Sequence, residues 1–270
     1  MGPSMRCRVL RWEQGTRWHQ DQVVGEEPLE LRLSGRTLAV TLRTPGTGDF
    51  DLAAGFLLAE GLIQSREEIL ELRLCPKEGS YNVVEIRLRE PPSSFEGLER
   101  HFFVTSACGV CGRAGLEQLS RRLNPLPPGP HIPLERLLSL GASMEAGQRL
   151  FSSTGGLHAA ALFDERGELL VVREDIGRHN AVDKAIGALL LQGRLEQAKI
   201  LFVSGRSGFE IAQKALAASI PIVVSVSAPS SLALELAQEF GLTLIGFFRH
   251  HRFNLYTGAD RILGLEAQPT

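Results

Sequence analysis

The chain has 270 residues, 43% hydrophobic and 22% charged, enough apolar material to bury a core in one large domain or two smaller ones. Its 29 Lys and Arg against 31 Asp and Glu leave a formal charge of −2, which disfavours a generally basic nucleic-acid binder and allows only a local basic patch. Four cysteines are too few for a disulfide framework and fit a reducing cytoplasm, where closely spaced cysteines serve metal or redox chemistry.

Residues Met1 to Arg11 hold no apolar core of signal-peptide length, and no apolar stretch reaches the roughly 18 residues of a membrane span. A soluble, cytoplasmic protein is expected. Residues Met1 to Glu27 are polar and arginine-rich and read as a tail or a first edge strand. Leu29–Leu33 alternates, Ser34-Gly35 turns, and Thr37–Leu42 follows, which predicts a β-hairpin. After Thr44-Pro45-Gly46, Asp49 reads as the cap of a helix over Asp51–Ile63. Tyr81–Leu88 alternates as another strand, and Pro91–Ser94 is a loop.

Phe102-Phe103-Val104 leads into Thr105-Ser106-Ala107-Cys108-Gly109-Val110-Cys111-Gly112-Arg113, and a helical pattern from Leu116 leads out. A thiol at a helix start is exposed to free N–H groups and a partial positive charge, and Arg113 adds a full one, so a lowered thiol pKa is expected. Asn124–Pro130 carries four prolines and cannot be regular structure; it reads as a domain boundary. The resulting division is an N-terminal α+β domain, 1–130, with antiparallel strands, and a C-terminal α/β domain, 131–270.

In the second part, Leu134–Leu150 has helical spacing and Ser152–Gly156 reads as a polar turn. Strands follow at His158–Phe163 and Glu168–Val172, then a helix from about Asn180 to Leu191. Lys199–Val203, Pro221–Val226 and Leu242–Phe247 are short β-rich runs. The first two lead through polar loops into helices at Phe209–Ala218 and up to Phe240; Phe248–Asn254 reads as the third loop. This rhythm predicts a largely parallel sheet with its three loops gathered on one edge, where such sheets bind ligands.

Four segments carry chemistry. Cys108 and Cys111 could be a buried apolar pair, but the glycines and Arg113 weigh against that; spacing alone leaves a zinc site, a thioredoxin-like dithiol and a sulfur carrier open. Ser204-Gly205-Arg206-Ser207-Gly208 is either an ordinary turn or an anion-binding loop with Arg206 as charged partner; it lacks the Gly-Lys-Ser/Thr of a Walker loop. Arg249-His250-His251-Arg252, flanked by Phe247, Phe248 and Phe253, is either a solvated basic loop or a contact for phosphates and flat heterocycles. In Glu174–Lys184, Arg178 and His179 stand at a strand–helix junction, and Asn180 with Asp183 resembles a capping pair. His158 is followed by Ala159-Ala160, with no glutamate, and no Pro-Cys-x-x-Cys follows it. Zinc-dependent deamination is therefore excluded for want of its general acid/base.

Together, Cys108-Gly-Val-Cys111, Gly177-Arg-His-Asn-Ala-Val-Asp-Lys184, Ser204-Gly-Arg206, Ser227-Ala-Pro229-Ser-Ser-Leu232 and Asn254-Leu-Tyr256-Thr resemble the FdhD family, the formate dehydrogenase accessory sulfurtransferases, from about Leu29 to Gly258. The resemblance implies a cytidine-deaminase-like C-terminal domain without zinc. It implies sulfur accepted from a cysteine desulfurase as a persulfide on Cys108, with Cys111 assisting or resolving. It implies delivery to the molybdenum bis-guanine-dinucleotide cofactor destined for formate dehydrogenase. Cofactor contacts would come from Phe247 to Arg252, joined by Ser204, Gly205, Arg206, Arg178 and His179, with GDP as a mimic. A homodimer is expected on the same ground. Family members often carry small residues where His250 and His251 stand. A cofactor chaperone that moves no sulfur and a dithiol oxidoreductase remain the alternative readings.

Overall fold

The computed structural model describes residues 2–76, 82–90 and 123–265. Of the tail or first edge strand expected at the N-terminus, the structure has strand, a hairpin of β1 (Ser4–Trp12) and β2 (Thr16–Val24), paired without a slip from Ser4 with Val24 to Trp12 with Thr16. Gln14 and Gly15, both at positive φ, supply its turn, a local signal that arginine-rich composition obscures.

A four-stranded sheet follows, built from β3 (Glu27–Leu33), β4 (Arg36–Arg43), β5 (Ile69–Pro76) and β6 (Asn82–Leu88) in the order β4-β3-β6-β5. The β3–β4 hairpin turns at Ser34-Gly35 as expected, both residues at positive φ. The sheet is mixed rather than antiparallel throughout. β5, which sequence reading passed over, takes the edge and sends β6 back alongside β3 in parallel.

Between β4 and β5 lies α1 (Asp49–Ala59), shorter than expected. Asp49 is not its cap: Gly48 is, at φ 102 with no side-chain cap. The Asp49 carboxylate instead accepts from Arg43, Nε to Oδ1 at 2.9 Å and Nη2 to Oδ2 at 3.2 Å, and Glu27 accepts from the same guanidinium at 3.2 Å. That shared pairing lets Arg43 be fully buried at the end of β4.

The larger sheet comprises β8 (His158–Phe163), β9 (Leu169–Asp175), β10 (Ile200–Val203), β11 (Ile222–Ser225), β12 (Thr243–Arg249) and β13 (Arg252–Thr257), ordered β13-β12-β11-β10-β8-β9. Only β10–β11 and β11–β12 are parallel; the other three pairs are antiparallel, so the sheet is mixed and not largely parallel. The reason is local. β8 and β9 are joined by a tight turn, and β12 runs on to Arg249 before turning at His250-His251 into β13. What read as a loop over Phe248–Asn254 is mostly strand.

Helices cover both faces. α2 (Leu134–Gly147) and the short α3 (Arg149–Thr154) replace the single helix and polar turn expected there; Gly155, at φ 67, ends α3. α4 (Arg178–Leu191), α5 (Phe209–Ala217) and α6 (Ser231–Phe240) stand close to expectation. One core joins the four-stranded sheet, α1 and α4–α6 to Ala160, Leu162, Leu201, Val223 and Leu244. A second packs Leu137, Leu140 and Met144 against Phe163, Phe202, Val224 and Phe248 on the opposite face. Alternate residues of each strand therefore serve alternate cores.

The segment Asn124–Pro130 is irregular, as its prolines require, and is held by the buried Arg261. Its guanidinium donates to the Pro127, Gly129 and Gly241 carbonyls at 2.8, 2.9 and 2.7 Å. Two short strands, β7 (Ile132–Pro133) and β14 (Ile262–Leu263), pair beside it. Among the described residues no helix is long and apolar enough to cross a membrane.

Candidate functional site

β10, β11 and β12 end on one edge, and the loops after them are stitched together there. Ser225 Oγ lies 3.0 Å from Ser207 Oγ, 2.8 Å from the Ser227 carbonyl and 3.1 Å from the Ile245 carbonyl, linking all three strands. The Ser230 amide donates to Ser207 O at 3.2 Å and the Phe247 amide to Ser227 O at 3.1 Å. Ser207 and Ser225 are fully buried, so the position of Ser207 in a polar loop conceals a structural task.

Two clefts open on this edge. The first, about 770 Å³, runs between α2–α3 and the sheet. Its lining includes Met144, Phe151, His158, Ser204, Phe248 and Arg249. Phe248 is buried there, edge-on to Phe202 at 5.0 Å between centroids and stacked on Phe253 at 6.2 Å. Arg249 Nη1 donates to the Val226 carbonyl at 2.6 Å and the Phe248 carbonyl at 2.7 Å, which fixes it at the rim. His250 faces Glu145 across the mouth, Nε2 to Oε1 at 3.7 Å. The second cleft, about 370 Å³, is lined by Arg178, His179, Arg206, Glu210 and Ser230 among others. The N-termini of α4, α5 and α6 converge on it, adding partial positive charge to the two guanidinium groups.

Gly205 separates the clefts. A Cβ there would lie 3.4 Å from His158 Nδ1 and 3.6 Å from Arg178 Cδ, so the two side chains flank a bare backbone sill. Burial first, then the neighbouring Arg178 and His179, lower the His158 pKa and so favour its neutral imidazole. Burial and the neighbouring Arg206 also lower the Arg178 pKa, against Glu210; a guanidinium remains charged regardless. His179 Nε2 is 2.8 Å from Glu210 Oε2. The chemistry on offer is an apolar, aromatic slot beside a cationic one, suited to a ligand with a flat ring and phosphates.

The expected contact residues divide. Ser204, Phe248, Arg249 and His250 line the first cleft; Arg178, His179 and Arg206 line the second. Phe247, His251 and Arg252 are exposed and line neither. Phe247 holds φ at 52°, in the left-handed region that a bulky residue seldom adopts, where β12 slips register against β13. Cys108 and Cys111 lie outside the described residues.

The motif from Asp175 to Lys184 is largely structural. Asn180 and Asp183 do not cap α4, whose N-cap is Gly177. Asn180 Nδ2 donates to the Leu42 carbonyl at 2.7 Å and to Asp175 Oδ1 at 3.1 Å. Asp175 also accepts from the Thr44 amide at 3.0 Å and from Lys184 Nζ at 2.5 Å. These residues tie the end of β4 to the start of α4, partners more than 130 positions apart that no local pattern announces. His158 is the site residue with the least sequence signal, having been weighed only as a metal ligand, whereas Gly205 was expected among the cofactor contacts and stands between the clefts.

A profile of the FdhD/NarQ family matches residues 24–263. The sulfur carrier protein FdhD of Mycolicibacterium paratuberculosis is 49% identical over 251 residues, covering 90% of this chain and 92% of that one. Its namesake from Streptomyces coelicolor is 47% identical over 271 residues, covering 95% of each. Among solved structures, a candidate formate dehydrogenase accessory protein from Desulfotalea psychrophila superposes with a TM-score of 0.75 at 28% identity, covering 96% of this chain and 98% of that one. Identity of nearly half across nine-tenths of the length, with the same fold, places the chain in the FdhD/NarQ family.

Proposed function

We propose that this chain carries sulfur as a persulfide on Cys108 and delivers it to the molybdenum bis-guanine-dinucleotide cofactor of formate dehydrogenase. The observation that carries the reading is that relatives bearing the name sulfur carrier protein match it almost end to end. The clefts support the cargo: guanine rings suit the slot beside Phe151 and Phe248, and phosphates suit Arg178 and Arg206. Here the cofactor is substrate, and the chain's part is to hold it and to present sulfur.

Loading is thiolate exchange. The Cys108 thiolate attacks the terminal sulfur of the desulfurase persulfide, forming Cys108–S–SH and returning the donor cysteine as thiolate. Delivery at the sulfide level needs two electrons. Attack of the Cys111 thiolate on the Cys108 sulfur supplies them, forming the Cys108–Cys111 disulfide and releasing sulfide to the cofactor.

Peptide mapping after incubation with a cysteine desulfurase and free cysteine tests this. One added sulfur, removable by reductant, is expected on Cys108 and absent from Cys108→Ala/Cys111→Ala. A double variant that still restores formate dehydrogenase activity would replace the reading with a chaperone that binds cofactor and moves no sulfur.

A further inference from the structure

Both tryptophans of the chain stand on the β1–β2 hairpin. In its register Leu10 lies opposite Trp18 and Trp12 opposite Thr16, so Leu10, Trp12 and Trp18 share one face. Trp12 is 74% exposed, Trp18 59% and Leu10 55%. Arg8 shares that face, its guanidinium carbon 4.4 Å from the Trp18 ring centroid. Among the described residues the two strands pair only with each other. A two-stranded ribbon is marginally stable in water unless something covers it.

The ribbon's base is fixed. Val24, on the same face as the tryptophans, packs on Gly156, where a Cβ would come within 3.1 Å of Val24 Cγ1. Gly156 lines the first cleft, as do Phe151 and Ser152 of the neighbouring α3. Trp18 is six residues along the strand, on the order of 20 Å beyond that rim at about 3.3 Å per residue. The aromatic face therefore continues outward from the mouth of the cleft. Its charge is positive: Arg6 and Arg8 lie on this face, Arg11, Arg17 and Asp21 alternate onto the other, and the whole chain is at −2.

We propose that this face of the hairpin is the docking surface for the enzyme that receives the cargo, and that it engages an acidic patch with an apolar centre. The inference rests on the sulfur-delivery reading for its choice of partner. A projecting ribbon suits a broad protein surface, whereas small ligands take concave sites. Tryptophan and arginine are the side chains that concentrate binding energy at protein interfaces. A partner held here faces the mouth of the cleft, where the cargo has to leave. The sulfur donor has no such need, since its target is the thiol.

The test measures binding of the purified, cofactor-free formate dehydrogenase catalytic subunit to full-length protein. Leu10→Ser/Trp12→Ala/Trp18→Ala and Arg6→Glu/Arg8→Glu are each expected to weaken it about tenfold or more, a loss of roughly 1.4 kcal/mol. Native binding is expected to weaken with salt. GDP binding, circular dichroism and sulfur loading of Cys108 should match the native protein. Unchanged subunit binding, or no native binding, overturns the proposal. So does a variant whose defect appears only in self-association by sedimentation or only in binding to anionic phospholipid vesicles. Absent sulfur loading in the native protein defeats the delivery reading instead and leaves the measured hairpin contact standing.

Discussion

Lys184 Nζ meets Asp175 Oδ2 at 2.5 Å, with neither side chain exposed to solvent. Thr47 Oγ1 accepts from the same ammonium at 2.6 Å. The pair thus closes the seam between the end of β4 and α4. Lys184→Ala is expected to leave a buried carboxylate uncompensated and to destabilise the fold by about 3–5 kcal/mol. In a chain of this size that is on the order of a 10 °C fall in Tm, readable by calorimetry. A change within 2 °C would show that Asp175 is satisfied by its amide donors alone.

The crossing of α1 and α4 is set by two glycines. A Cβ on Gly55 would fall 1.9 Å from the Asp183 carbonyl, and one on Gly187 would fall 1.8 Å from the Asp51 carbonyl. Gly55→Ala gains about 1 kcal/mol of helix propensity. It also forces backbone against backbone, which is expected to cost about 3 kcal/mol or more. The net effect is destabilising, to be checked by urea denaturation. A stabilised variant would mean that the helices separate without penalty.

Asp183 is buried against Lys214, Nζ to Oδ1 at 2.7 Å, and burial pushes its pKa up to about 6 despite that ammonium. A raised carboxyl pKa means that the folded chain binds a proton more tightly than the unfolded chain between about pH 4 and pH 6. The contribution from this group is therefore full below the unfolded value and declines as pH rises to about 6. Asp183→Asn removes the titration. Comparison of unfolding free energy across that window should show native stability falling relative to the variant as pH rises. Parallel curves would place the Asp183 pKa near its ordinary value.

Arg206 is exposed at the rim of the second cleft and takes no part in the core. Arg206→Ala is expected to weaken GDP binding about tenfold or more, the worth of one charge-assisted contact, with Tm unchanged. Equal affinity by calorimetry would assign phosphate binding elsewhere.

Phe247 spends conformational energy that Gly would not. Phe247→Gly relieves a left-handed backbone worth roughly 1–3 kcal/mol and removes an exposed ring. Stability is expected to rise with GDP affinity unchanged, because the ring lines neither cleft. A fall in affinity by calorimetry would give the ring a ligand contact.

The rhythm of β10 and β11 with their loops was legible because each unit is local: a short apolar run, a polar turn and a helix. So was the gathering of the loops, which follows from parallel strands. Tertiary partnership was not legible. Asn180 and Asp183 have the spacing of a cap, yet their partners are Leu42, Asp175 and Lys214, brought in by folding. The histidine pair read as a loop because polar residues dominate it, although two residues suffice to turn β12 into β13. The β1–β2 hairpin read only as a tail or a first edge strand because both its faces are largely solvated and its alternation is correspondingly weak.

Contact between α1 and α4 through bare backbone leaves the pair no lubricating layer of side chains. α4 begins with Arg178 and His179 at the cationic cleft, and α1 is clamped to the four-stranded sheet. Close approach at those two glycines therefore joins the four-stranded sheet and the start of α4 in one frame, on which the cationic cleft is mounted.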